Sequence, residues 1–190
     1  MDTLPPDILL AIVCRLPCRA QLRALRVDRC LGRAALRCLS RSTALHLSAA
    51  TSGADEHDLH ALAGALCDGW LPTLRELWLR GNVLGPPAMA ALARAARSGS
   101  LAELRYLDLC GHRIDDAGCV VLAGALHPDA LPQLTHLYLN WNRIGDAGVA
   151  ALASAISHGS LPRLQKLFLH GNATGPAGVK FLADALGVAY

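Results

Sequence analysis

Histidines and cysteines are the side chains of this sequence best suited to metal binding or nucleophilic chemistry, and their spacing decides what is possible. His57, Asp58 and His60 could offer three ligands to a metal ion. They stand where a helix is predicted to begin, however, and polar side chains are common at that position. Cys14 and Cys18 lie one helical turn apart with no histidine nearby, so we interpret them as core or surface thiols. The sequence predicts no metal site.

The motifs of catalysis and nucleotide binding are absent from the sequence. It contains no Gly-x-Gly-x-x-Gly, no Gly-Lys-Ser/Thr, no His-Glu-x-x-His and no Gly-x-Ser-x-Gly. His46, His112, His136 and His170 recur at intervals without a plausible nucleophile beside them. We therefore predict a protein that is not an enzyme and needs no cofactor.

Composition narrows the setting in which the chain works. Its seven cysteines are odd in number and form no Cys-x-x-Cys pair, which favours reduced thiols in the cytoplasm or nucleus. No apolar run approaches the roughly 18 residues of a membrane helix. The longest run, residues 8–14, follows two aspartates rather than a basic stretch, so neither a membrane association nor a signal peptide is expected.

Most of the chain is one unit of 30 residues written four times, at 71–100, 101–130, 131–160 and 161–190. In the first copy Leu74, Leu77, Leu79, Asn82 and Leu84 form the pattern Leu-x-x-Leu-x-Leu-x-x-Asn-x-Leu/Ile. A fixed period of this length indicates a solenoid. The pattern resembles the leucine-rich repeat of the ribonuclease-inhibitor-like class. The resemblance implies an α/β solenoid with a curved parallel sheet inside and helices outside.

The two halves of each repeat have different apolar periods. Alternating leucines predict a short strand, and the later apolar residues recur at helical spacing. Asp116 and Asp146 are predicted to cap their own helices, with Pro86 and Pro176 in the first turn of the other two. Residues 44–70 contain a degenerate first repeat, whose strand lies two residues upstream of register. One turn carries His112 in place of asparagine and is expected to be looser.

The strand residues between the leucines should form the concave surface that leucine-rich repeats use to bind proteins. Five of the eight aromatic residues fall on this face. Large exposed rings favour an interface, since aromatic residues and arginine are the usual anchors of protein binding. The alternative is that neighbouring rings only shield one another. The predicted partner-binding residues are Glu76, Trp78, Arg80, Tyr106, Asp108, His136, Tyr138, Asn140, Trp141, Lys166, Phe168 and His170.

Residues 1–43 are predicted to form a separate helical segment. Its opening pattern, Leu-Pro-x-Asp-Ile-Leu-x-x-Ile-x-x-x-Leu-Pro, resembles the F-box, although the second half is about one residue short and lacks the usual tryptophan. In F-box proteins these helices bind a Skp-family adaptor of a cullin ubiquitin ligase. By that resemblance the adaptor-binding residues are Leu4, Pro5, Ile8, Leu9, Ile12 and Leu16. Alternatively, residues 1–43 only cap the first repeat of residues 44–190.

Charge is concentrated in that same segment. Residues 1–43 hold eight arginines against three aspartates, whereas the whole chain has a net charge of +3. The arginines recur every three or four residues, which a solvated helix face explains. With no aromatic residue interleaved among them, nucleic-acid binding is not expected.

Three functions are compatible with these patterns. The first is the substrate-recognition subunit of a cullin ubiquitin ligase, with the adaptor at the N-terminus and a protein target on the concave face. The second is a stand-alone binding module, similar to ribonuclease-inhibitor or immune-receptor repeats. The third is a regulator of a small GTPase, because Ran GTPase-activating proteins share this class of repeat.

Overall fold

Five strands alternate with five helices in the computed structural model, which describes residues 43–47, 56–69, 71–82 and 84–187. The F-box-like residues 4–16 lie outside these ranges. The strands are β1 (Ala44–His46), β2 (Glu76–Trp78), β3 (Tyr106–Asp108), β4 (His136–Tyr138) and β5 (Lys166–Phe168). The helices are α1 (Glu56–Cys67), α2 (Pro86–Arg97), α3 (Asp116–Ala125), α4 (Asp146–Ser157) and α5 (Pro176–Leu186).

The strands form one parallel sheet in the order of the chain. Leu77 pairs with Leu107, which pairs with Leu137 and so on to β5, so equivalent residues of successive repeats lie side by side. Each helix packs on the helices of its neighbours in a second layer. The predicted α/β leucine-rich-repeat solenoid is confirmed.

The first repeat is irregular in the way its sequence predicts. Ala44 pairs with Glu76, whereas Glu76 pairs with Tyr106, so β1 lies two residues farther upstream than the period of the later repeats would place it. The helix of this repeat keeps the normal spacing, because Leu59 and Leu62 are buried as Met89 and Leu92 are. The extra residues therefore fall between β1 and α1.

The core lies between the sheet and the helices. Successive strand leucines are buried on the face of the sheet that points to the helices, and the apolar stripes of the helices pack against them. Burial is nearly complete in the central repeats, and declines in the last one, where Leu167 and Leu169 are only partly covered. None of the helices in the described ranges is long and apolar enough to cross a membrane.

Asparagines hold the turns after β2, β4 and β5 to the preceding repeat. The Asn142 side chain donates from Nδ2 to the carbonyl oxygens of Leu109 and Leu139. Its Oδ1 accepts from the backbone N–H groups of His112 and Ile114. One amide thus satisfies four backbone groups of two repeats, which buried polar groups require.

His112 occupies the equivalent place in the preceding repeat and cannot make this set of bonds. It is 1% exposed, and neither ring nitrogen makes a hydrogen bond of normal geometry. The next residue, Arg113, adopts a left-handed φ of 57°. Its counterpart Arg143 donates its backbone N–H to the carbonyl of Ile114, one repeat earlier. Within the described residues Arg113 makes no such bond, which agrees with the looser turn that the sequence predicts.

The prediction that Asp116 and Asp146 cap their own helices is wrong. They are the first residues of α3 and α4, and each caps the helix of the following repeat. Asp116 Oδ1 accepts from the backbone N–H groups of Gly145 and Gly148, and Asp146 acts in the same way on the start of α5. These bonds satisfy N–H groups that have no partner within the helix.

The start of α3 lacks this support, because the preceding repeat has Pro86 where the next two repeats have Asp116 and Asp146. There the helix is capped by its own residue Asp115, whose carboxylate accepts from the Gly118 N–H at 2.9 Å. A cleft of about 370 Å³ lies at this junction, with Met89 and His112 in its lining.

Candidate protein-binding face

The parallel register aligns the concave side chains in two rows. One row contains Glu76, Tyr106, His136 and Lys166, and the other contains His46, Trp78, Asp108, Tyr138 and Phe168. Neighbouring strands of a sheet lie about 4.8 Å apart, which brings aromatic rings in the same row into contact. The sequence-predicted residues of β2 to β5 are therefore brought together on one side of the sheet.

Six rings on this surface form what we call the aromatic ladder, made of His46, Trp78, Tyr106, His136, Tyr138 and Phe168. Its closest members are nearly parallel: Tyr138 and Phe168 have ring centroids 4.6 Å apart at 5°. Tyr106 and His136 are 4.5 Å apart at 25°. Because the rings face one another, the surface offers a partner mainly ring edges and their polar atoms.

Asp108 lies beneath the aromatic ladder and not on its surface. The ring centroids of Trp78 and Tyr138 lie 5.7 Å apart above this residue, and Asp108 is only 5% exposed. Its Oδ1 accepts from the Cys110 backbone N–H at 2.8 Å. Burial raises the pKa of Asp108 above its usual value, against the effect of this bond and of the Arg80 charge. The side chain supports the rings from below.

Asn140 is the second predicted contact residue that is buried. Its Nδ2 donates to Cys110 Sγ at 3.1 Å, between equivalent positions of two repeats. Together with Asp108 it forms a polar floor under the concave surface. Burial also raises the pKa of the Cys110 thiol, so that thiol stays protonated at neutral pH.

The polar atoms at the ladder's edges are held by local contacts. Trp78 Nε1 donates to Glu76 Oε2 at 3.1 Å. Burial, together with the charge of Lys166, lowers the pKa of His136, which favours the neutral ring at pH 7. Burial raises the pKa of the Tyr138 phenol, and the Asp108 charge adds to that effect. The face therefore presents neutral hydrogen-bonding groups in its centre.

Trp141 is 61% exposed, more than any other predicted contact residue that is a tryptophan, tyrosine or phenylalanine. It stands in the turn after β4, where the other three regular repeats have Gly81, Gly111 and Gly171. All four residues have positive φ, and that of Trp141 is 59°. A left-handed conformation costs a residue other than glycine roughly 1–2 kcal/mol. The tryptophan is thus held in a conformation that suits glycine.

The indole of Trp141 lies across the next turn. A Cβ placed on Gly171 would come within 2.7 Å of the ring, so only glycine leaves room for it there. The ring of His170 meets the indole edge-on, with centroids 5.8 Å apart. The outer side of the indole remains open to solvent at the rim of the concave face.

Sequence reasoning missed two exposed arginines in the turns after β3 and β4. Arg113 and Arg143 follow the turn position in successive repeats, and both are exposed. Their shared position in the 30-residue unit would have revealed the pair, had the turn been included in the predicted face. Arg80, Lys166 and His170, which the sequence did predict, are exposed on the same side.

The family model described as Leucine Rich repeat matches residues 71–93, 103–123 and 131–153. These segments contain β2, β3 and β4, and hence most of the aromatic ladder. The match, the period and the observed solenoid together support a leucine-rich-repeat protein, which makes a protein-binding scaffold the expected role. No curated protein matches the chain.

Proposed function

We propose that this chain is a non-catalytic receptor that binds a protein target on its concave face and a Skp-family adaptor through residues 4–16. In that role it is the substrate-recognition subunit of a cullin-type ubiquitin ligase in the cytoplasm or nucleus. The observation that carries the target-binding half is the aromatic ladder on the inner surface of a leucine-rich-repeat solenoid. The half-buried rings, with an exposed tryptophan at their rim, are the residue types that dominate binding energies in protein interfaces.

Rigidity supports the same assignment. Each ring of the ladder is fixed by a neighbour on the next strand, and Trp78 is fixed further by its bond to Glu76. A surface that is already ordered loses little conformational entropy when a partner binds, at about 0.5–1.5 kcal/mol saved per side chain. The solenoid also spaces equivalent side chains evenly, so an extended target could contact all repeats in turn.

The adaptor-binding half rests on the sequence pattern of the N-terminal segment. Leu9 and Ile12 would lie on the adaptor-facing side of the first helix by resemblance to the F-box. If the segment serves only as a cap, the chain is a stand-alone binding module with the same concave face.

A binding experiment separates these two roles. Purified chain is mixed with a Skp-family adaptor, in parallel with a Leu9→Asp, Ile12→Asp double variant whose fold is checked by circular dichroism. We expect the parent to bind and the folded variant not to bind. A folded parent that fails to bind the adaptor would rule out the ligase role. The matched control is Val120→Asp, Val121→Asp, which places the same charges on exposed positions of α3 and should leave adaptor binding intact.

A further inference from the structure

Exposed cations accompany the concave strands of the solenoid. Arg80 and Lys166 are exposed at concave positions, and Arg113 and Arg143 are exposed in the turns that follow β3 and β4. The two acidic residues at concave strand positions are already engaged. Asp108 is buried under the rings, and Glu76 accepts the hydrogen bond of Trp78. The concave side therefore presents positive charge, although residues outside the N-terminal segment carry slightly more acidic than basic side chains.

Two of these cations lie in the same kind of turn as Trp141. Arg143 is two residues along the chain from it, and Arg113 holds the same position as Arg143 in the neighbouring repeat. Within the described ranges neither guanidinium forms an ion pair. Exposed arginines near an open indole can donate hydrogen bonds to a carboxylate while an apolar or aromatic group of the same partner packs on the ring.

We propose that the target segment recognised by the concave face is acidic, with its carboxylates at Arg113 and Arg143 and a neighbouring side chain on Trp141. This inference rests on the proposed function of the face as a protein-binding surface. It adds the chemical class of the segment and the place where that segment is anchored.

A single-stranded nucleic acid is also anionic, and the ladder itself argues against it. Bases bind such surfaces by stacking on open aromatic faces. Here the rings are stacked on each other, at 4.5 Å between Tyr106 and His136 and 4.6 Å between Tyr138 and Phe168. Within the described ladder only the end rings, His46 and Phe168, have a ring neighbour on a single face. They lie at opposite ends of the sheet, so the ladder offers no continuous platform for a run of bases.

Selection from a random peptide library displayed on phage tests the inference, because it samples all classes of peptide segment equally. The purified chain is the bait, at physiological ionic strength. We expect the enriched peptides to be acidic and to carry an aromatic or large aliphatic residue. The tightest of them is then synthesised, and its affinity is measured by fluorescence anisotropy.

Three variants locate the binding site. Arg113→Glu with Arg143→Glu should weaken the affinity for the acidic peptide by at least about tenfold, and the loss should be larger at low salt. Trp141→Gly should weaken it by a similar factor without that dependence on salt. The control, Arg94→Glu with Lys180→Glu, makes the same change of net charge at exposed positions on α2 and α5 and should bind as the parent does.

The outcomes distinguish the two levels of the proposal. Enriched peptides that show no acidic bias but lose binding in Trp141→Gly would overturn the acidic class and leave the protein-binding face standing. Failure to enrich any peptide, or binding that none of the concave variants weakens, would overturn both. An oligothymidylate that binds more tightly than the selected peptide would identify a nucleic-acid site instead.

Discussion

Replacing His112 by asparagine should remove a dependence of stability on pH that a single buried imidazole creates. Burial lowers the pKa of His112 from 6.5 to about 4, and the Leu79 carbonyl offsets this only in part. The folded protein therefore holds the neutral ring, whereas the unfolded chain takes up a proton as soon as the pH falls below about 6.5. Stability from this group is complete above that pH and is lost as the pH falls towards 4.

The size of the effect follows from the two pKa values. A pKa difference of about 2.5 corresponds to a loss of about 3 kcal/mol in the free energy of unfolding between pH 7 and pH 4. Since domains of this size are stable by about 5–15 kcal/mol, the loss is large enough to measure. An amide at the same position does not titrate. By the pattern of Asn142 it can also donate to the Leu79 and Leu109 carbonyls.

The assay is urea unfolding of the parent and of His112→Asn at several pH values from 7 to 4. We expect the variant to become progressively more stable than the parent as the pH falls, by about 3 kcal/mol in all. Other titrating groups, including Asp108 and His136, are common to both chains and cancel in the difference. Coincident transitions by circular dichroism and tryptophan fluorescence, with equal m-values, serve as the control for two-state unfolding. A difference that stays constant with pH would refute the argument.

Three other substitutions test the contacts between repeats. Gly148→Ala should lower the free energy of unfolding by about 1–3 kcal/mol, because its Cβ would lie 2.7 Å from Asp116 Oδ1. Gly124→Ala, with nothing within 4 Å of its Cβ, is the matched control and should be neutral or stabilising by up to about 1 kcal/mol in thermal unfolding. Asp146→Ala should lower the free energy of unfolding by about 0.5–2 kcal/mol and increase hydrogen exchange at the start of α5. An increase in exchange that is confined to α4 would contradict capping across repeats. Trp141→Gly should leave urea unfolding within about 1 kcal/mol of the parent, since relief of the left-handed strain offsets the lost contact with the next turn; a larger loss would make the residue structural.

The sequence predicts the fold well because each repeat is a copy of the others. The leucine columns fix which residues face the core, and the period fixes which strands are neighbours. It also predicts the two-residue offset of the first strand, which Ala44 and Glu76 display. The caps are different. An aspartate at a helix start is read as its own helix's cap, and a bond from Asp116 to Gly145 becomes visible only when the repeats are stacked.

The candidate site is predicted less completely. Alternation along a strand predicts the side of the sheet to which a residue points, but not how far neighbouring side chains cover it. Asp108 and Asn140 do point to the concave side of the sheet by alternation. Both are nevertheless buried. The longer side chains of Trp78 and Tyr138 meet above Asp108, and the amide of Asn140 is directed to Cys110 Sγ of the preceding repeat. Strands of a sheet lie about 4.8 Å apart, and an aromatic ring can span that distance where a carboxylate cannot.

Two residues that depart from the pattern of the repeat, Asp115 and Trp141, differ in whether another change in the chain compensates for the departure. Asp115 replaces the glycine of later repeats, and the change is matched one repeat earlier by Pro86, which removes the carboxylate that would otherwise occupy this space. Trp141 replaces a glycine at a cost in backbone strain, and because most of its ring lies in solvent, its contact with the next turn does no more than offset that cost. Strain of this kind is concentrated at functional sites. Because a binding partner can recover the energy at an exposed ring, Trp141 is the position on the concave face where function best accounts for the sequence.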